Sequence, residues 1–359
     1  MNREFIRAIE ELEKEKGISK DVLIEAIELA LVSAYKKNYG TSQNVRVFID
    51  REEGDIDVFM RKDVVEEVAD DLVEISVKDA MEIDYRYIAG DVIEYQVTPR
   101  DFGRIAAQTA KQVVVQRIRE AERGMVFDDY INKQGEITTG VVQRISNETV
   151  FINMGRAEGI LAASEQVPGE TYTVNNKIKV YIMDVKKTTK GPQIYLSRSH
   201  PGIVKKLFEL EVPEIQDGVV EIKSISREAG SRTKIAVYTS DENIDPVGAC
   251  VGTRGNRVQS VVDELFGEKI DIITWSDDPE ILIGKVLSPA KVEKVLISDE
   301  EKSAVAIVPD YQLSLAIGKE GQNVRLAAKL SGWKIDIKSH TQYFEGDSSE
   351  SGYDDVEAE

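Results

Sequence analysis

The strongest constraint on the fold is a unit that the second half of the chain repeats. Each copy reads as two strands, a helix, a Gly-x-x-Gly loop, a second helix and a closing strand that contains the tripeptide KID. Aligning Gly252 with Gly318 brings "GTRGNRV" over "GKEGQNV", and the KID strands follow with a slip of one residue. Self-similarity over this length predicts two copies of one domain.

The repeated loop suits a chain of phosphates better than a single nucleotide. It lacks the GxxxxGK-Ser/Thr pattern of a triphosphate loop and the GxGxxG pattern of a dinucleotide fold. Its glycines permit unusual dihedral angles, and the helix that follows offers free N–H groups to an anion. A KH domain clamps a nucleic-acid backbone in this way. Cations lie at or just after the loop in both copies: Arg254 and Arg257, then Lys319 and Arg325.

Residues 135–199 are predicted to form a small all-β barrel. Short β segments alternate there with Gly, Asn and Pro turn signals. This segment carries a net charge of +2, against −19 for the whole chain. Phe151 lies in its central hairpin, and single-strand binders use an aromatic platform for a base together with cations for phosphates. We therefore predict an RNA contact at Phe151, although a phenylalanine there also suits a barrel core.

The N-terminal part is predicted to be a mixed α/β domain with a long helix. Helical periodicity fills the first 40 residues, and short alternating segments follow. The long helix is predicted from about Phe102 to Tyr130. Arg104 and Lys111 project from its polar side. That side is either a solvated face or a contact with an acidic partner or with RNA.

Composition argues against several classes of function. No apolar run has the length of a membrane span, so we expect a cytoplasmic protein. Cys250 is the only cysteine, which excludes an intrachain disulfide, and its apolar context predicts a buried thiol. His200 and His340 are isolated, and no cluster has metal-ligand spacing. We therefore expect no metal, no cofactor and no enzymatic activity.

A barrel followed by two KH copies resembles the NusA family of bacterial transcription factors. The resemblance covers residues 1 to about 344 and rests on "RSHPGIVKKLFELEVPEI", "AGSRTKIAVYT", "IDPVGACVGTRGNRVQSVV", "GEKIDI", "AIGKEGQNVRLAAKLSGW" and "FGRIAAQTAKQVV". It implies an α+β multidomain protein. The implied parts are an N-terminal RNA-polymerase-binding α/β domain (1–132), an S1-like OB-fold barrel (133–199), two tandem prokaryotic-type (type II) KH domains (200–278 and 279–344) and a disordered acidic tail (345–359).

The resemblance implies a factor that associates with RNA polymerase and binds nascent single-stranded RNA. The family modulates pausing, intrinsic termination and antitermination, and other Nus-type antitermination factors are further implied partners. We expect a cytoplasmic monomer. The alternative is a translation- or ribosome-associated RNA-binding protein without polymerase contact. The acidic tail either aids solubility or folds back onto the basic barrel and competes with RNA.

The resemblance also implies which residues contact these partners. Arg198, at the end of the barrel, matches a basic position of the family, and Arg104 and Lys111 are the implied polymerase contacts. The implied RNA contacts of the first loop are Gly252, Thr253, Arg254, Gly255, Asn256 and Arg257. Those of the second are Gly318, Lys319, Glu320, Gly321, Gln322, Asn323 and Arg325. Because Glu320 places a carboxylate where the loop faces phosphate, we expect the first loop to contribute more.

Overall fold

The computed structural model describes residues 3–39, 44–99 and 102–344. The predicted helix end at Gly40 and the acidic tail after residue 344 lie outside these ranges. The chain divides into two compact units between Val126 and Phe127.

The first unit contains two N-terminal helices, a small sheet and most of a long helix. Its elements are α1 (Arg3–Lys16), α2 (Lys20–Tyr39), β1 (Asn44–Ile49), β2 (Ile56–Val65), β3 (Glu74–Ser76), α3 (Val77–Ile83), β4 (Val92–Gln96) and α4 (Phe102–Ile131). Strand β2 pairs with β1, β3 and β4. Apolar residues of α2, such as Leu23 and Ile27, pack with Val47 of β1 and Phe102 of α4. The long helix is confirmed, whereas β3 and α3 were too short for the sequence pattern to predict.

The second unit begins with a closed five-stranded barrel. Its strands are β5 (Ile137–Ser146), β6 (Thr149–Asn153), β7 (Glu158–Leu161), β8 (Lys177–Thr188) and β9 (Gly191–Ser197), joined in the order β5–β6–β7–β9–β8. Gly140 lies against the barrel interior, where an added Cβ would come within 2.3 Å of Ile152. The predicted barrel is confirmed.

The repeated unit forms two domains of the same plan. The first contains α5 (Pro201–Glu211), α6 (Pro213–Gln216), β10 (Glu221–Glu228), β11 (Arg232–Tyr238), α7 (Pro246–Val251), α8 (Asn256–Glu264) and β12 (Lys269–Thr274). The second contains α9 (Pro279–Val286), β13 (Lys294–Ser298), β14 (Ser303–Val308), α10 (Leu313–Ile317), α11 (Gln322–Ser331) and β15 (Lys334–Ser339). In both sheets the first two strands are antiparallel and the closing strand runs parallel to the middle one.

Shared cores join these three parts of the second unit. Ile137 and Tyr181 of the barrel pack against the apolar cluster of the first KH copy. Ala236 and Ile273 of that copy lie in one cluster with Ala327 of the second copy. The barrel and both loops are therefore carried by one continuously packed unit.

Candidate RNA interface

The two Gly-x-x-Gly loops adopt the same backbone conformation. Gly252 has φ +74° and ψ 177°, and Gly318 has φ +77° and ψ 170°. Two residues later Arg254 has φ +55° and ψ 24°, and Glu320 has φ +52° and ψ 28°. Non-glycine residues rarely adopt positive φ, so the agreement between two copies shows that the fold imposes this shape.

The first glycine of each loop is required by its surroundings. A Cβ added to Gly252 would lie 2.6 Å from Oδ1 of Asn256 and 2.7 Å from Cγ of Arg257. A Cβ added to Gly318 would lie 2.8 Å from the backbone nitrogen of Asn323. The loop thus packs closely onto the start of the following helix, the end at which the helix dipole favours an anion.

The second glycine of each loop faces open space. No heavy atom lies within 4 Å of the Cβ position of Gly255. At Gly321 the nearest atom within that distance is Cγ1 of Val324 at 3.9 Å. These glycines are needed for their left-handed backbone, at φ +79° and +73°, and they leave the outer face of the loop open to a ligand.

Four loop side chains point to solvent. Thr253, Arg254, Lys319 and Glu320 are all exposed. Arg254 and Lys319 make no hydrogen bond or ion pair within the part of the chain that the structure describes. Each loop therefore presents one uncommitted cation, but the second loop also presents the Glu320 carboxylate.

The residues after the loops turn inward instead. Nη1 of Arg257 donates to the carbonyl of Ala249 at 2.6 Å and pairs with Glu214 at 2.9 Å. At the equivalent position Nδ2 of Asn323 donates to the carbonyls of Ala316 and Leu287, both at 2.9 Å. Both side chains tie the preceding helix to the loop. Asn323 is only 5% exposed and its side chain positions the loop, so the predicted RNA contact has little side-chain surface here.

Gln322 and Arg325 bind the neighbouring KH copy. Nε2 of Gln322 donates to Glu228 at 2.8 Å and to Ser231 at 2.7 Å, and Nε of Arg325 donates to Glu228 at 2.6 Å. The hydrogen bond from Arg325 lowers the pKa of the Glu228 carboxyl below its usual value. These side chains hold the two copies together at the foot of the second loop, which the sequence pattern did not indicate.

Phe151 lies on β6 under a cation that sequence reasoning missed. The guanidinium carbon of Arg144 is 3.4 Å from the centre of the Phe151 ring, and Arg144 also pairs with Glu158 at 2.9 Å. Phe151 is half-buried. A cation stacked on an aromatic ring fixes its orientation. Arg144 is thus a second residue of this surface.

Arg198 does not lie on the surface. It is 0% exposed, and its guanidinium donates to Glu170 at 3.0 Å, to the carbonyl of Lys179 at 2.8 Å and to the carbonyl of Glu264 at 3.0 Å. Glu264 belongs to α8 of the first KH copy. This burial leaves the predicted direct RNA contact without exposed surface, and Arg198 instead joins the barrel to that copy.

Exposed apolar residues precede the second loop. Tyr311 is 83% exposed, and Leu315 and Ile317 of α10 are also exposed. Apolar side chains beside a KH loop suit the faces of nucleobases. Tyr311 lies just before α10, and the irregular spacing of the three residues gave this surface only a weak sequence signal.

The first unit carries a groove beside the predicted polymerase contacts. Arg104 and Lys111 are both exposed on α4. Lys111 borders an apolar groove of about 590 Å³ between α1 and α4. The other lining residues are Phe5, Ala8, Ile9, Leu12, Ala107, Val114 and Val115.

No metal or nucleophile centre accompanies these surfaces in the described ranges. Three or more His, Cys, Asp or Glu side chains nowhere gather there in a metal-binding group. Burial raises the pKa of the Cys250 thiol to about 12, which leaves it protonated at neutral pH. Residues 3–39, 44–99 and 102–344 also contain no helix long and apolar enough to cross a membrane.

Comparison with known families assigns all four parts of the chain. Residues 4–124 match the NusA N-terminal domain and residues 132–197 the S1 RNA binding domain. Residues 198–275 match the NusA-like first KH domain and residues 279–345 the NusA-like second KH domain. The chain belongs to the NusA family. The predicted fold class is confirmed: an N-terminal domain, an S1 domain and two KH domains.

Close relatives match over nearly the whole chain. The transcription termination/antitermination protein NusA of Bacillus subtilis (strain 168) is 60% identical over 341 residues, 95% of this chain and 92% of that protein. NusA of Halalkalibacterium halodurans is 60% identical over 342 residues, 95% of this chain and 90% of that protein. The solution structure of the N-terminal domain of NusA from B. subtilis matches with 63% identity and a TM-score of 0.32, covering 34% of this chain and 99% of that structure.

Proposed function

We propose that this protein associates with RNA polymerase, binds the nascent RNA as a single strand and modulates pausing, intrinsic termination and antitermination. The observation that carries the proposal is the pair of Gly-x-x-Gly loops with one backbone shape, each with an uncommitted cation and an open outer face. Membership of the NusA family, whose relatives are named transcription termination/antitermination proteins, supports transcription over the ribosome-associated alternative.

In this proposal the second unit binds RNA and catalyses no reaction. Arg254 and Lys319 neutralise phosphates, and the helix N-termini behind the loops add the positive end of the helix dipole. On the barrel, Phe151 supports the Arg144 guanidinium, and a base can stack on that guanidinium plane. Because the modules are packed in one unit, each contact after the first is intramolecular and strengthens binding. RNA held in this way near the polymerase favours hairpin folding, which prolongs a pause.

The first unit is the proposed contact with polymerase. Arg104 and Lys111 supply positive charge along α4, and the groove beside Lys111 offers apolar surface. We further propose that the domains end at residues 132, 199, 278 and 344. The protein acts as a monomer in the cytoplasm and binds further antitermination factors.

RNA binding is tested with the double variant Arg254→Asp, Lys319→Asp in the full chain. Its affinity for an unstructured RNA of about 20 nucleotides is measured at several salt concentrations. We expect a loss of at least tenfold, because two phosphate contacts become repulsive. The matched control is Lys269→Asp with Lys334→Asp, which makes the same charge change at exposed KID lysines of both copies. Equal affinities for the two double variants would refute the assignment of the loops.

Polymerase binding is tested by co-purification of the full chain with core RNA polymerase. The double variant Arg104→Glu, Lys111→Glu is expected to weaken the complex. The control variant Lys205→Glu, Lys291→Glu makes the same charge change at exposed residues of the second unit and should leave the complex intact. If the unaltered chain formed no complex and bound ribosomes instead, the alternative function would be correct.

A further inference from the structure

Phe266 is an exposed aromatic residue in a backbone conformation that aromatic residues rarely adopt. It follows the buried Leu265 at the end of α8, has φ +56° and is 61% exposed. A bulky residue at positive φ is an outlier, and an exposed ring gains little burial to offset the strain. Strained residues of this kind concentrate at ligand clamps. Packing in the core therefore does not account for a phenylalanine at this position.

The second KH copy shows that the domain does not need an aromatic residue here. One residue fewer separates its loop from its KID strand, and α11 ends directly at Gly332 with φ +74°. Glycine is the usual residue at a left-handed helix end. The first copy has such a glycine as well, Gly267 at φ +89°, immediately after Phe266. Counted from the aligned loops, Phe266 stands at the position of Gly332 and Gly267 is the extra residue, so the first copy places a phenylalanine where the second has the glycine of its left-handed helix end.

The Phe266 ring lies at the junction between the barrel and the first KH copy. The guanidinium carbon of the buried Arg198 is 5.5 Å from the ring centre. Arg198 is itself fixed by Glu170 of the barrel and by the carbonyl of Glu264 in α8. A fixed cation against an aromatic ring holds the ring in place. The buried arginine therefore positions an aromatic surface that is open to solvent.

The charges around this ring do not exclude RNA. Three carboxylates near the junction are each ion-paired: Glu264 with Lys179, Glu268 with Arg227 and Glu170 with Arg198. Asp263 on the same helix is exposed and accepts a hydrogen bond from Gln259. The paired cations offset most of the negative charge beside Phe266.

We propose that Phe266 is a stacking platform for one nucleobase, where single-stranded RNA passes from the barrel to the first KH loop. This inference rests on the proposed function and adds a subsite to it. The ligand class is any nucleobase, because stacking uses the π-face that all bases share. Arg198 acts here as a positioning residue, which gives the buried arginine a part in RNA binding without a direct contact.

The test is the variant Phe266→Gly in the full chain, with the unstructured RNA of about 20 nucleotides as probe. We expect affinity to fall about tenfold, as for loss of one stacked base. The slope of log Kd against log salt should stay unchanged, because no charge is removed. Thermal stability should not fall, because glycine adopts positive φ without strain. Lower affinity in an equally stable protein separates binding from folding.

Two further variants decide whether stacking is the interaction. Phe266→Trp keeps an aromatic face and should bind as the unaltered chain does, whereas Phe266→Leu keeps only apolar surface and should bind as weakly as Phe266→Gly. Unchanged affinity in Phe266→Gly, or full affinity in Phe266→Leu, would overturn the platform while RNA binding itself stands. If the unaltered chain failed to bind the RNA, the proposed function would fail, and the platform with it.

Discussion

At the scale of single residues, the loops depend on backbone shapes that only certain residues allow. Gly252 and Gly318 combine positive φ with ψ near 180°, a region that is essentially restricted to glycine. Gly255 and Gly321 occupy the ordinary left-handed region, which other residues reach at a smaller cost. The two glycines of one motif therefore differ in how strictly the fold requires them.

Alanine at these two positions should separate their roles. We expect Gly252→Ala to lower the free energy of unfolding by about 2–3 kcal/mol, since strain adds to the overlap with Asn256 and Arg257. Gly255→Ala should lower it by about 1–2 kcal/mol, because its Cβ meets open space. Urea unfolding followed by tryptophan fluorescence measures both, since Trp275 and Trp333 are the only tryptophans and both lie in the KH pair. Equal losses would contradict this account of the loop.

The positive charge of Arg198 should contribute strongly to the stability of the fold. Arg198→Met leaves the Glu170 carboxylate buried without its cation, and we expect a loss of about 3–5 kcal/mol. Arg198→Met with Glu170→Met removes both charges, so calorimetry should show much of that loss restored. A double variant as unstable as the single one would instead point to lost packing.

At the scale of elements, the two loops share a backbone but differ in charge. Arg254 and Glu320 leave the loop from the same dihedral angles, so their side chains start in the same direction relative to each domain. The position before them is Thr253 in one copy and Lys319 in the other. Each loop thus carries one cation, and Glu320 cancels the net charge of the second.

Exchanging these charges should change both affinity and salt dependence. Glu320→Arg is expected to raise RNA affinity several-fold and to steepen the slope of log K against log salt by about 0.7, one phosphate contact on a single strand. Arg254→Glu should weaken binding and flatten the slope by a similar amount. Binding titrations at three or more salt concentrations measure both. An unchanged slope in Glu320→Arg would mean that the second loop does not face phosphate.

At the scale of the whole molecule, buried ion pairs join the modules of the second unit. Burial alone would raise the pKa of Glu268, but Arg227, Thr233 and the Gly230 N–H hold it below its usual value. Arg227 also donates to the carbonyl of Arg198, so this pair links the first KH copy to the end of the barrel. A lowered carboxyl pKa stabilises the fold above the unfolded value of about 4.3, and the effect is lost as pH falls through the folded value.

Acidification should therefore loosen this unit through Glu268. We expect the urea midpoint from tryptophan fluorescence to fall as pH drops from about 5 to 3. Glu268→Gln should be less stable at neutral pH, and its midpoint should depend less on pH across that range, because the titrating group is gone. If both proteins showed the same pH dependence, Glu268 would not be among the groups responsible.

Patterns within the chain predicted the barrel, the repeat, the long helix and the loops, because periodicity and glycine spacing are local. What they missed depends on distant partners. Arg198 looked like a surface cation, yet Glu170 and Glu264 bury it. Gln322 and Arg325 looked like RNA contacts, yet Glu228, more than ninety positions earlier in the chain, binds both. The positive φ of Phe266 could not be predicted, because composition and residue spacing do not determine the dihedral angle of a single residue.

The central claim is that one RNA strand is held by both loops at once. The most direct measurement is RNA affinity as a function of strand length for the unaltered chain, Arg254→Asp and Lys319→Asp. Once the strand is long enough to reach both loops, the unaltered chain should gain affinity steeply, because the second contact is intramolecular. Each single variant should lose that gain while short strands still bind the loop that remains. The same steep gain in all three proteins would contradict the claim.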